Sequence, residues 1–387
     1  MKKKITVVHH SNQFGLGGTE KDMLLFCKYH DKDVFDVHAV ARKYPVPPHR
    51  LLLDRVKSAL GSESARARDS QNRMNDIRVP DFLRVLGEDR VHFYRVAALP
   101  ALFKKLAPSI LHVHHNGETQ IPLNRPDALE GIPLIFTING FGFKGESPHQ
   151  ERISRILFPS NWVWEVAAPW SRNDPRCGML YCPIEKPHSD ADLRAELGIK
   201  PGTVVFGRVG RNANDIHHPI SLNAYKEVES ENTLFLALAP PPQMIEDAKK
   251  LGIRNIRWLE PTVDEVWLSR FYNTIDALAH ARLDGETFGC AIAEAMIHGR
   301  PVITHRSHLR NAQAELLDAD SGFVTDQNDI NKYAEAMRAL IQNADLRRKM
   351  GEAARRRALA NFEAGLVTRK LEAEYFEYLK RKNLLAA

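Results

Sequence analysis

The sequence predicts an α/β protein made of two doubly wound domains, each a parallel sheet with helices on both faces. Three observations predict it. Short apolar runs alternate with amphipathic helical stretches through most of the chain, the pattern of strand–helix–strand units whose sheets are buried on both faces. The length, 387 residues, suffices for two domains that each bury a core. The alternation also starts twice, at Ile5–Val8 and at Val204–Arg208, around the proline-bearing stretch Pro183-Ile184-Glu185-Lys186-Pro187-His188, which reads as a linker.

Taken in order, Ile5–Val8 is a strand. It is followed by the glycine-rich loop Ser11-Asn12-Gln13-Phe14-Gly15-Leu16-Gly17-Gly18-Thr19-Glu20 and a helix over Asp22–Tyr29. Strand, glycine loop and helix bring backbone amides close to a phosphate, although the spacing is not that of a dinucleotide fingerprint. Val34–Ala41 is a second strand. From Tyr44 to about Asp89 the periodicity fades, and the polar run Gly61–Arg73 is expected to shape an acceptor pocket or to be a disordered decoration. Ile110–His114 is a buried strand bearing His112 and His114, with His115 next. Alternation along one strand puts two histidines at most on one face, so no metal site is assigned. Pro133–Ile138 is a strand ending at Asn139-Gly140-Phe141-Gly142, Ile153–Pro159 is the next, and Met179–Cys182 closes the first domain.

In the second half, strands are expected at Thr233–Ala239, Ile256–Leu259, Ile275–Ala281, Pro301–Thr304 and Gly322–Thr325, with helices such as Ser221–Glu229 and Val263–Tyr272 between them. Asp329–Phe362 reads as helical and polar-faced, and Leu366–Leu379 as a last amphipathic helix. Ligands of such sheets sit at the carboxyl ends of the strands.

One stretch there concentrates the chemistry. Gly285 to Gly289 forms a loop, and Cys290–His298 a short helix stopped by Gly299 and Pro301. Glu294 is the only acidic residue of that helix, among Ala291, Ile292, Ala293, Ala295 and Met296. Burying such a carboxylate requires hydrogen-bond donors. Glu286 lies in the loop before it, and the loop amides with the helix N-terminus favour an anion such as a diphosphate.

The net charge is +6, unevenly spread. Residues 1–110 carry 20 Lys/Arg against 12 Asp/Glu and residues 347–387 carry 11 against 5, which leaves the middle at −8. Basic ends are compatible with contact to an anionic membrane surface or an acidic acceptor. No nucleic-acid recognition motif accompanies them. Four scattered cysteines, Cys27, Cys177, Cys182 and Cys290, make no disulfide framework and read as reduced thiols. The apolar run after Lys2-Lys3-Lys4 is too short for an export signal, and no stretch approaches a membrane span. The expected location is cytoplasmic, either free or peripheral to the inner face of a membrane.

Glu286 and Glu294, with the surrounding Phe-Gly, Glu-Ala-Met and Gly-x-Pro-Val-Ile residues, resemble the retaining GT-B glycosyltransferases that carry a Glu-x7-Glu motif, the glycosyl transferases of group 1. The resemblance implies a GT-B fold: an acceptor-side domain at 1–183, a donor-side domain at 184–364 facing it across a cleft, and a helix at 365–387 crossing back to the first. It implies a metal-independent transfer of a sugar from a nucleotide-sugar donor to a glycan or lipid-linked acceptor, as in polysaccharide biosynthesis, with no cofactor. Glu294 would grip the ribose hydroxyls. Thr287, Phe288 and Gly289, with Arg208 and Arg211, would hold the diphosphate, and Glu286 would bind sugar hydroxyls beside the reacting carbon. Gly17 and Gly18, in a Gly-Gly-x-Glu loop, would lie near the pyrophosphate or acceptor, and Leu259 near the base. Ser160-Asn161-Trp162 matches the family's serine turn, and Glu315 sits at a family-like position without assigned chemistry. Two departures stand out. Asn139 replaces a histidine that reaches the donor sugar, and Ile216 stands where a lysine five residues beyond Arg211 would neutralise phosphate, leaving Arg208, Arg211, His217 and His218 as substitutes. The alternatives are a catalytically weak or silent nucleotide-sugar-binding subunit and a GT-B-type sugar-nucleotide epimerase.

Overall fold

The computed structural model describes residues 4–42, 48–62, 64–65, 75–115, 121–140 and 152–382. Most of the Gly61–Arg73 run, and Phe141-Gly142, fall outside them. The chain forms two compact units. The first comprises Met1–Pro159, Ala167–Pro183 and Thr368–Ala387, and the second Ser160–Val166 and Ile184–Val367.

The first unit is built on strands β1 (Ile5–Ser11), β2 (Phe35–Arg42), β3 (Val91–Tyr94), β4 (Ile110–His115), β5 (Leu134–Ile138), β6 (Ile153–Phe158) and β7 (Cys177–Met179), in the order β3-β2-β1-β4-β5-β6-β7. All their pairings are parallel. Every residue of β4 and β5 is buried, which is why these segments read as continuous runs rather than alternating ones. The chain moves outward from β1 to β3 and returns at β4 on the other side of β1. The carboxyl ends of β1 and β4 therefore form a switch point, where such sheets bind ligands.

The helices of this unit include α1 (Gly18–Tyr29), α2 (Pro48–Ala59), α3 (Val79–Leu86) and α4 (Leu99–Leu106). The stretch without clear periodicity thus contains α2 and α3, and β3 follows it. In α3 only Phe82 and Leu86 are buried, one turn apart. Eight residues opened by Pro80 are too few for a period of 3.6 to stand out.

The second sheet contains β8 (Val204–Val209), β9 (Thr233–Leu238), β10 (Ile256–Leu259), β11 (Ala277–Ala279), β12 (Val302–His305) and β13 (Gly322–Thr325), in the order β10-β9-β8-β11-β12-β13. It too is parallel throughout. Its switch point lies between β8 and β11. The helices are α5 (Ile220–Lys226), α6 (Pro242–Lys250), α7 (Glu265–Thr274), α8 (Cys290–Ile297), α9 (Ala312–Glu315), α10 (Ile330–Gln342) and α11 (Ala344–Asn361). The core packs Phe206, Leu222, Tyr225, Phe235, Ile303 and Met337. Asp329–Phe362, expected as helical, is divided into two helices: the side chain of Asn343 accepts from the Leu346 amide and caps a new start.

Ser160–Val166 clusters with the second unit rather than with the strand it follows. The Ser160 hydroxyl donates to the Thr287 carbonyl at 2.8 Å. Glu315 accepts from the Asn161 amide, the Asn161 side chain and the Trp162 amide at 3.0, 3.0 and 2.8 Å. The last helix, α12 (Ala364–Arg381), belongs to the first unit from Thr368 onward. There Tyr375 bonds His112 at 2.5 Å, and Glu374 takes two bonds from Arg155 at 2.8 and 2.9 Å.

Candidate functional site

The loops leaving β8 and β11, at the second sheet's switch point, carry most of the candidate residues, and the backbone joins them. The Leu283 amide donates to the Ile216 carbonyl at 3.0 Å, and His217 and Arg282 form an antiparallel bridge. Gly285 makes this loop possible. Its φ is +67°, and a Cβ there would lie 1.9 Å from the Arg310 carbonyl oxygen, so only glycine fits.

Glu286 is fixed before any ligand arrives. Its amide donates to Gln313 Oε1 at 3.0 Å, and its carbonyl accepts from Ala312. Its side chain pairs through Oε1 with His280 Nε2 at 3.1 Å and through Oε2 with Arg282 at 3.3 Å, yet 18% of it stays accessible. Burial alone would push this carboxyl up. The His280 hydrogen bond and the Arg282 charge outweigh it and hold the group below its usual value. Asp284 is likewise held low: burial opposes ionisation, but bonds from Arg282 and the charge of Arg310 prevail.

Glu294 lies on α8, is 9% exposed, and accepts from the Tyr272 hydroxyl at 2.7 Å. Burial and the neighbouring Glu294 charge push the Tyr272 phenol well up, so it stays a donor. This is the partner that an acid in an apolar helix demands. Gly289 caps α8 with φ +112°. Its carbonyl accepts from Ile292 and Ala293, while the amides of Gly289 and Ala291 have no acceptor among the described residues. Amides without an acceptor at a helix start are where an anion is favoured. Thr287 is half-buried and uses its carbonyl on Ser160. Phe288 is buried edge-on against Phe362, 5.4 Å between ring centroids.

The cations differ from expectation. Arg208 is buried and spends its guanidinium on the carbonyls of Leu238 and Ala239 at 3.2 and 2.9 Å. Burial, then the charge of Arg282, lowers its pKa to about 10, which leaves it protonated. Arg211 is exposed and makes no ion pair among the described residues. His217 and His218 do not substitute for a lysine. Burial lowers both, in His217 against the pull of Asp247 at 2.9 Å, so both imidazoles are neutral near pH 7. The charges that sequence reasoning missed are Arg282 and Arg310, both on Asp284 at 2.5 Å. No motif marks them; only the loop's closure brings them together. Leu259 is half-buried at the end of β10, its carbonyl accepting from Ala239.

In the first unit, Gly17 caps α1 and Gly18 begins it, both exposed just past β1. A Cβ on Gly17 would meet Glu20 Oε2 at 2.4 Å. Asn139 donates its amide to the His115 carbonyl at 2.7 Å and its side chain to Asp22 at 3.1 Å. Gly17, Gly18 and Asn139 are thus on elements gathered at the β1–β4 switch point.

The histidine count also needs correcting. β1 lies in register with β4, His9 opposite His112, and the ligand atoms of His9, His112 and His114 lie within 4.8 Å of one another. A single strand could not show this third member. The rings are hydrogen-bonded: His9 to His114 at 2.9 Å, His9 to His30 at 3.0 Å, and His30 to Glu372 at 3.0 Å. His112 bonds Tyr375 and Thr137. The Glu372 carboxylate accepts from His30 Nδ1, which orders donors and acceptors along the row. The expected metal independence rested on finding no Asp-x-Asp pair, and that was wrong: such pairs occur at Asp31/Asp33, Asp190/Asp192 and Asp318/Asp320. Asp31 and Asp192 accept from the amides of Asp33 and Arg194, and Asp318 pairs with Arg357, so these three form local turns and a surface pair.

Residues 189–357 match the model of the family described as glycosyl transferases group 1. The match lies within the second unit. Glu286, Glu294 and the α8 amides all lie within it. A D-inositol 3-phosphate glycosyltransferase of Corynebacterium diphtheriae is 31% identical over 140 residues, 36% of this chain and 32% of that protein. The capsular polysaccharide biosynthesis glycosyltransferase CapM of Staphylococcus aureus is 28% identical over 110 residues, 28% of each chain. The matched segments span a third or less of these relatives. Among solved structures, a glycosyltransferase from Rickettsia africae superposes with a TM-score of 0.71 at 16% identity, over 98% of this chain and 99% of that one. HepE of Anabaena, in complex with UDP and glucose, superposes with 0.68 at 14% identity, over 96% and 100%. Such likeness establishes the fold: two Rossmann-like parallel-sheet domains of GT-B type.

Proposed function

We propose that this protein is a retaining glycosyltransferase that moves a sugar from a nucleotide-sugar donor to a glycan or lipid-linked acceptor, without a metal or other cofactor. One observation carries the reading: Glu286 and Glu294 flank the start of α8 at the switch point of the second sheet, each held by donors, with the Gly289 and Ala291 amides between them. HepE, of the same fold, was solved with UDP and glucose, and the curated relatives are glycosyltransferases, which supports this donor class.

Glu294 accepts from the ribose hydroxyls. A carboxylate offers about four acceptor positions, so its bond from Tyr272 does not preclude a diol, and each charge-assisted bond contributes about 1.5–3 kcal/mol. The α8 amides with Arg211 hold the diphosphate as the bond from its oxygen to the anomeric carbon breaks. The acceptor oxygen bonds to that carbon on the same face, and its proton passes to the departing phosphate. Glu286 binds sugar hydroxyls, and Asn139, Gly17 and Gly18 serve the sugar and acceptor. In the first unit, α2 exposes Leu52, Leu53 and Val56 beside Arg55 and Lys57, with exposed Leu60 just past its end, which supports peripheral contact with an anionic membrane. No helix among the described residues is long and apolar enough to cross one.

A thermal-shift panel of nucleotide sugars, followed by turnover assays in EDTA, tests the reading. A stabilising donor whose binding falls sharply in Glu294→Ala supports it, and donor affinity unchanged within twofold refutes the role of Glu294. The lysine-free position at Ile216 favours a second reading, a subunit that binds donor without turning it over. Saturable donor binding with no product across acceptors would establish that one instead.

A further inference from the structure

We propose that His280 and Arg282 are positioning residues that clamp Glu286 from both sides, leaving one acceptor position on each carboxylate oxygen for the hydroxyls of a neutral donor sugar. This rests on the glycosyltransferase reading above and assigns work to two residues outside the Glu-x7-Glu pair.

His280 follows β11 directly and is itself immobilised. Its amide donates to the Ile303 carbonyl at 2.8 Å, its carbonyl accepts from the buried Tyr333 hydroxyl at 3.1 Å, and its Nδ1 pairs with Thr304 on β12 at 3.1 Å. A carboxylate can only accept, so Nε2 carries the hydrogen toward Glu286. Arg282 is anchored by its amide on His305 Nε2 at 3.2 Å and by its guanidinium on Asp284, which Arg310 holds in turn. Arg310, Asp284, Arg282, Glu286, His280 and Thr304 thus form one continuous row of alternating partners. A structural ion pair would need only one of the two donors. Here each oxygen has its own, and the accessible remainder of the side chain stays open to a ligand. A Cβ on Gly289 would lie 3.6 Å from the Glu286 side chain, which places the clamp beside the α8 amides. Two donors also weaken the carboxylate as a nucleophile, so the arrangement suits hydroxyl recognition. Groups acting on the Glu286 charge are His280 and Arg282, which favour ionisation, and Asp284, which opposes it; Arg208 faces the same loop.

The test compares wild type with His280→Ala, His280→Gln, Arg282→Met and Arg282→Lys, using the nucleotide sugar that stabilises the wild type most. Glutamine places its amide nitrogen about where Nε2 sits. The clamp predicts that His280→Ala and Arg282→Met lower kcat about 10- to 100-fold, the cost of a misplaced group. Binding of the free nucleoside diphosphate should stay within twofold. The acid limb of the kcat/KM profile should move up by about one pH unit, and His280→Gln should restore it. Unchanged kcat and pH profile in both truncations overturns the proposal, as does loss of nucleotide binding together with activity. Should the wild type bind and turn over no nucleotide sugar, the glycosyltransferase reading fails, and the clamp is read by carbon-13 titration of the Glu286 carboxyl, assigned with Glu286→Gln. A wild-type midpoint below the ordinary glutamate value that rises in His280→Ala supports the clamp; an ordinary midpoint, unmoved by the substitution, overturns it.

Discussion

The Leu283 amide donates to the Ile216 carbonyl across 3.0 Å, tying the loop after β8 to the loop after β11. Ile216 is 3% exposed, so its side chain serves packing while its backbone serves the site. A lysine at this position would place an ammonium in the core. Ile216→Lys is therefore expected to destabilise the protein by roughly 3 kcal/mol or more and to leave transfer activity no higher than before. Denaturant unfolding and initial rates check this; a stable variant with raised turnover would show that position 216 faces the diphosphate after all.

Tyr272→Phe keeps the ring that packs against His298 at 5.0 Å but removes the donor to Glu294. Leaving a buried charged acceptor short of one bond costs about 1–3 kcal/mol. Urea unfolding should show that loss, and calorimetry should show weaker nucleotide binding. Wild-type stability in the variant would mean another donor takes over.

Gly285→Ala meets both a left-handed φ and a backbone oxygen. The conformational cost alone is about 1–2 kcal/mol, and the clash with the Arg310 carbonyl cannot be relieved by a rotamer. The loop must shift and carry Glu286 with it. Turnover should fall about 100-fold with a modest loss in melting temperature. A wild-type rate would show that the loop tolerates the shift.

The first unit should be acid-sensitive. Burial lowers His9 and His112 well below 6.5 and His10 and His114 to about 3. The unfolded chain binds these protons near pH 6.5 while the folded one refuses them, so stability is full above 6.5 and falls as pH drops toward 3. Each histidine contributes about 1.4 kcal/mol per pH unit in that window. Between pH 6.5 and 5 carboxylates change little, which isolates the effect. Hydrogen exchange should show β1 and β4 losing protection over this range, and unchanged protection would refute it.

Glu315→Ala removes the acceptor of three hydrogen bonds from Asn161 and Trp162. A loss of about 2–4 kcal/mol is expected from net contributions of roughly 1 kcal/mol per bond, with Ser160–Val166 becoming protease-sensitive. Resistance to cleavage would mean that the Ser160–Thr287 bond alone holds the turn.

The fold class and the two acids proposed for the site are legible in the sequence. Apolar periodicity is a local property, and Glu286, Gly289 and Glu294 sit on one continuous stretch whose turn and helix signals are local as well. What holds each acid follows from how distant segments pack. Tyr272, His280, Arg282, Arg310 and Gln313 reach the site from α7, from the loop after β11, from the loop after β12, and from α9. The tertiary structure also brought His9 to His112 and His114 from another strand, and placed Ile216 in the core. Hydrogen bonds and charges act through space over a few ångströms, and closure of parallel strands sets those distances between residues far apart in the chain.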